Sequence, residues 1–99
     1  MTPSDILRAA ADRIERYGWT QHESGQDGQR MCVLMALGAA CDDAGDRGRN
    51  EPSLWRSAKS ALERHVRIGS GFVSNWNDAP GRTVDEVLAA LRGAAKECE

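Results

Sequence analysis

The chain has 99 residues, 40% of them hydrophobic and 28% charged, which suits one globular domain with a single core and excludes a disordered chain. Its formal charge of -2 excludes the broad basic field that general nucleic-acid or membrane-surface binding needs. Three Cys, an odd number, suit reduced thiols better than a disulfide scaffold.

The opening Thr2-Pro3-Ser4-Asp5 lacks a basic stretch before an apolar core, so no signal peptide is read there. The first helix is expected from Pro3 to about Tyr17. Thr2 can cap it, Pro3 fits its first position, and Asp5 complements the positive end of the dipole. Ile6, Leu7, Ala10, Ile14 and Tyr17 recur at helical spacing and make its apolar stripe. Gly18 is a natural stop. Gln21 to Arg30 reads as a loop, with Asp27-Gly28 as its turn; a short hairpin joining Trp19–Gln21 to Met31–Val33 is the alternative.

The run from Met31 to Cys41 is apolar on every side and is expected to be the buried central helix. At eleven residues it is far short of the roughly 20 that cross a bilayer, so no membrane contact is expected and a cytoplasmic location is. Asp42 to Asn50 is read as a polar, mobile loop. A third helix is expected from Pro52 to Arg67. Leu54, Trp55, Ala58, Ala61, Leu62, His65 and Val66 share its inner face, and Arg56, Lys59, Glu63, Arg64 and Arg67 its outer one. Ile68 to Arg82 is irregular or a single helical turn. The last helix runs from Val84 to about Glu97, opened by a capping box in Thr83-Val84-Asp85-Glu86. Val84, Val87, Leu88, Leu91, Ala94, Ala95 and Cys98 form its apolar stripe. The expected fold is all-α: one domain over residues 1–99, a small four-helix orthogonal or irregular bundle around the second helix.

No catalytic, metal or cofactor set is visible. Cys32 and Cys41, nine apart in one continuous helix, would face opposite sides and could share neither a metal nor a disulfide. His65 at the edge of an apolar stripe reads as a packed residue. His22-Glu23 lies outside any H-E-x-x-H register. An enzyme would therefore need a site that only folding assembles. Arg56, Lys59, Arg64 and Arg67 make the one basic face, interrupted by Glu63. Trp19 and Trp76, beside loops, are either core plugs or exposed anchors.

The segment Trp76-Asn77-Asp78-Ala79-Pro80-Gly81-Arg82-Thr83 is the most distinctive. It reads as a stop, a turn and a start. Asn77 or Asp78 makes an Asx turn, Pro80-Gly81 centres a type II turn, and Thr83 caps the last helix. Arg82 has no turn role and is left to pair with Asp78 or to meet a partner. This segment, with Tyr17-Gly18-Trp19 and Cys32-Val33-Leu34-x-Ala36-Leu37, resembles a family of small proteins of no assigned activity from actinobacteria and their phages. Met35 stands where that pattern has Gly. The resemblance implies a source, and a host cytoplasm if phage-encoded, but no chemistry.

The functional expectation is a protein-interaction module, directed at a bacterial host protein if phage-encoded. Trp76, Arg82 and Trp19 would be its anchors. The alternative is a small regulator binding nucleic acid through Arg56, Lys59, Arg64 and Arg67, a partner that the acidic charge disfavours.

Overall fold

A computed structural model describes residues 2–26, 28–45 and 54–99. Five helices follow one another: α1 (Pro3–Tyr17), α2 (Val33–Asp43), α3 (Leu54–Val66), α4 (Val73–Asn77) and α5 (Val84–Glu97). The fold is all-α, with no sheet among the described residues. The hairpin alternative reduces to two isolated bridges, Trp19 with Met31 in parallel and Gly25 with Met31 in antiparallel sense.

α1 and α5 begin where their caps direct. Thr2 Oγ1 accepts from the Asp5 N–H at 3.2 Å while Asp5 Oδ2 accepts from the Thr2 N–H at 3.0 Å. Thr83 and Glu86 repeat the arrangement at 3.2 and 2.9 Å. Each box satisfies orphan N–H groups of the first turn and fixes where the helix starts.

α2 starts two residues later than the apolar run suggests. Met31 and Cys32 have backbone N–H groups already engaged, with Gly18 O at 3.1 Å and Ser24 O at 2.9 Å. These bonds accompany extended backbone at Cys32, which becomes the cap, its Sγ accepting from the Met35 N–H at 3.4 Å, and Val33 is the first helical residue. The continuous-helix premise for Cys32 and Cys41 is thus replaced: Cys32 is half-buried at the cap and Cys41 is buried near the other end of α2, and neither is in a disulfide. At its far end α2 takes in Asp42 and Asp43, which the sequence assigns to a loop. Ala44 and Gly45 follow as a turn, and the loop from residue 46 onward and the expected helix start at Pro52 lie outside the described residues.

One apolar cluster joins the helices. Ile6, Leu7 and Ile14 from α1, Val33 and Leu37 from α2, Leu62 from α3, and Val87 and Leu91 from α5 are all fully buried. Each such side chain stabilises the fold by about 1.5–3 kcal/mol relative to exposure. α2 lies inside as its composition requires, and α1 shares the centre, packing on α2, α3 and α5. Small residues carry the close approaches: a Cβ on Gly93 of α5 would come within 2.6 Å of the His65 ring of α3.

Three residues sit against the expected pattern. Tyr17 and Val84 belong to apolar stripes but are 38% exposed; each is a terminal residue of its helix. Glu63 belongs to the outer face of α3 by spacing, yet it is only 4% exposed. Its Oε2 accepts from Lys59 Nζ at 3.0 Å and from the Gly71 N–H at 2.8 Å, so the carboxylate ties the chain reversal after α3 back onto the helix. A buried carboxylate is tolerated when such donors surround it.

Candidate functional site

The distinctive segment folds into a corner formed by α4, the turn after it and the start of α5. Asn77 is 1% exposed and is the last residue of α4. Its side chain uses all of its hydrogen-bonding capacity. Oδ1 accepts from Trp19 Nε1 at 2.7 Å and from the Val33 N–H at 3.0 Å. Nδ2 donates to Thr20 O at 3.1 Å and to Asp78 Oδ1 at 2.9 Å. One amide therefore joins the end of α4, the stretch after α1 and the first turn of α2. Asn77 does not make the Asx turn that its sequence neighbourhood suggests; apart from Asp78, its side-chain partners lie 44 to 58 residues back along the chain.

Gln21 extends the tie, Nε2 donating to Asn77 O at 3.1 Å and Ala79 O at 3.0 Å. Asp78 faces His22, accepting from its backbone N–H at 2.8 Å. That bond first, and the Asn77 amide second, hold the Asp78 carboxyl below the usual carboxylate range. His22 has a φ of +67°, a left-handed conformation uncommon for a side-chain-bearing residue and held here by the contact with Asp78. A recess of about 200 Å³ at this junction is lined by His22, Cys32, Asn77 and Asp78 among others.

The turn is as the sequence reads it: the Arg82 N–H donates to Ala79 O at 3.1 Å, and Gly81 takes a φ of +81°. Arg82 does not pair with Asp78. Its Nε donates to Trp76 O at 3.0 Å, its guanidinium lies 4.3 Å from the centroid of the Trp76 ring, and it approaches Glu86 Oε2 at 3.4 Å. Trp76 is half-buried beneath it.

The structure thus brings Trp19, Trp76 and Arg82 into one corner, but the indole N–H of Trp19 is taken by Asn77, leaving only its ring to offer. The basic residues of α3 divide. Lys59 turns inward to Glu63 and lies 5.7 Å from the Trp55 ring centroid. Arg56 and Arg64 stay on the outer face, and Arg67, with a φ of +60°, ends the helix in solvent. His65 packs on Gly93 and pairs through Nδ1 with Glu97, which gives it a structural role. Among the described residues no three His, Cys, Asp or Glu side chains gather as a metal site would require, and no helix is long and apolar enough to cross a membrane.

Sequence reasoning gives Asn77 only a turn role and gives Phe72 none. Asn77 has no local signal because all but one of its side-chain partners are remote. Phe72 precedes α4 and is 52% exposed, the most exposed large apolar side chain among the described residues.

Fold and corner together define a small all-α protein whose most distinctive motif is a buried hydrogen-bonded clasp. The chain belongs to a family of unknown function, DUF6197, whose model matches residues 1–97. Comparison with curated proteins and with solved structures gives no match.

Proposed function

We propose that this chain is a protein-interaction module that docks a partner through the α4–α5 corner. The observation that carries the reading is the placement of exposed apolar side chains. Of the three large ones that the described fold leaves exposed, Phe72 and Val84 flank the Trp76–Arg82 stack, one before it and one after it. An aromatic held flat under an arginine loses little freedom on binding, and such residues dominate protein interfaces. The clasp at Asn77 holds the corner in place without itself facing outward. The resemblance to small proteins of actinobacteria and their phages supports a bacterial host protein as the partner, met in the cytoplasm.

The test is a pull-down with tagged wild-type protein from an actinobacterial lysate, run beside Phe72→Ala and Tyr17→Ala. Phe72 is exposed, so its truncation leaves the core intact. A partner recovered in stoichiometric amount by the wild type and by Tyr17→Ala, and lost with Phe72→Ala, supports the reading. Recovery of no such protein, or equal recovery by Phe72→Ala, refutes it.

A further inference from the structure

α4 is the shortest of the five helices. Of its residues, Val73 and Asn77 are buried, and their spacing of four puts both on the face turned to the core. Phe72, its N-cap, and Trp76 are likewise four apart and share the face beside it. A short segment with so little buried apolar surface opens locally before the domain as a whole unfolds.

The two ends of α4 are held unequally. At the C-terminal end the Asn77 amide is fully hydrogen-bonded, Gln21 Nε2 donates to Asn77 O and Ala79 O, and Arg82 Nε donates to Trp76 O while its guanidinium covers the ring. At the N-terminal end the chain arrives through Gly69, Ser70 and Gly71, with a φ of +88° at Gly71. There the Gly71 N–H donates to Glu63 Oε2 at 2.8 Å, and Lys59 Nζ donates to the same oxygen at 3.0 Å. One carboxylate thus ties this end to α3, against a whole network at the other.

We propose that the segment from Ser70 to Val73 is a hinged arm, pivoting on Asn77 and latched by Glu63, which sets how Phe72 is presented beside Trp76. Opening withdraws Val73 from the core, turns Phe72 away from Trp76 and breaks the bond from the Trp76 N–H to Phe72 O, 3.0 Å long when latched. A partner that needs both rings meets only the latched fraction, so Glu63 controls docking from the interior. That consequence rests on the docking proposed above; the arm itself does not.

Amide hydrogen exchange of the whole protein, followed residue by residue by NMR, tests the arm. After correction for intrinsic rates, the wild-type Trp76 N–H should exchange faster than the Leu37 N–H of central α2 by about tenfold or more. Its rate should also depend less on low urea, because a local opening exposes little surface. The Val33 N–H, held by Asn77 at the pivot, should stay slower than that of Trp76. Glu63→Ala should raise the ratio of Trp76 to Leu37 exchange by about a further tenfold, the worth of a hydrogen bond to a charged group. Glu63→Gln should raise it less, since its amide oxygen can still accept from the Gly71 N–H. Equal opening and equal urea dependence for Trp76 and Leu37 in the wild type, a Val33 N–H that opens with Trp76, or an unchanged ratio in Glu63→Ala would each overturn the proposal. No partner enters the measurement, so loss of the arm and loss of the docking surface are told apart.

Discussion

The Asn77 corner and the outer face of α3 both combine tryptophan, arginine and small polar residues, and they direct them oppositely. At the corner the polar groups turn inward: the Asn77 amide, the Trp19 N–H and the Arg82 Nε all end on partners within the chain. On α3, Arg56, Ser57 and Arg64 stand on the exposed side of the helix. The more distinctive sequence pattern therefore marks the place where the fold is tied together. The plainer one, a few basic residues on an amphipathic helix, marks an open surface. A residue pattern becomes distinctive when many remote groups constrain it at once, and a clasp imposes more such constraints than a solvent face.

This comparison breaks most readily at Asn77. Truncation by Asn77→Ala strands the Val33 N–H in the buried interior and the Trp19 N–H and Thr20 O in the part-buried corner beside it. At about 1–3 kcal/mol for each unsatisfied buried group, the loss should reach about 3 kcal/mol or more in urea denaturation. Arg64→Ala should stay within about 0.5 kcal/mol, as surface substitutions do. Comparable losses at the two positions would erase the distinction.

A middle-sized effect sharpens it through the core beside α3. Gly93→Ala brings a Cβ into the His65 ring, so it should destabilise by about 1–3 kcal/mol. In a His65→Ala background the same change should stabilise by about 1 kcal/mol, since alanine then exerts only its helix preference. A double-mutant cycle by thermal unfolding reads the sign reversal. The same sign in both backgrounds would mean that the α3–α5 approach does not depend on this ring.

The smallest effect concerns pH. Asp78 is held below the usual carboxylate range by the His22 N–H and the Asn77 amide. A depressed folded-state value contributes stability that is present above the unfolded value and is lost as pH falls through the folded one. Stability should therefore decline below about pH 4, and Asp78→Asn should flatten part of that decline. Chemical denaturation across the acid range checks this; an unaltered profile in Asp78→Asn would detach the carboxylate from the clasp.

Legibility in the sequence followed the range of the interactions. α1 and α5 start where Thr2–Asp5 and Thr83–Glu86 place them, because a capping box closes within four residues. The Pro80-Gly81 turn is equally local. The start of α2 was not legible, because Gly18 and Ser24 decide it by engaging the N–H groups of Met31 and Cys32. Periodicity places Glu63 outward, and the chain returning at Gly71 makes it a buried acceptor.

The sequence by itself determined the all-α class, four of the five helices with their apolar faces, and the geometry of the turn before α5, since these rest on spacing and caps a few residues long. Only the tertiary structure decided that Asn77 joins α4 to the stretch after α1 and to the start of α2, that Arg82 covers Trp76 in place of reaching Asp78, and that Glu63 is buried beneath the chain returning at Gly71. Each depends on groups that meet only when helices pack, and neither periodicity nor local hydrogen bonding carries that information.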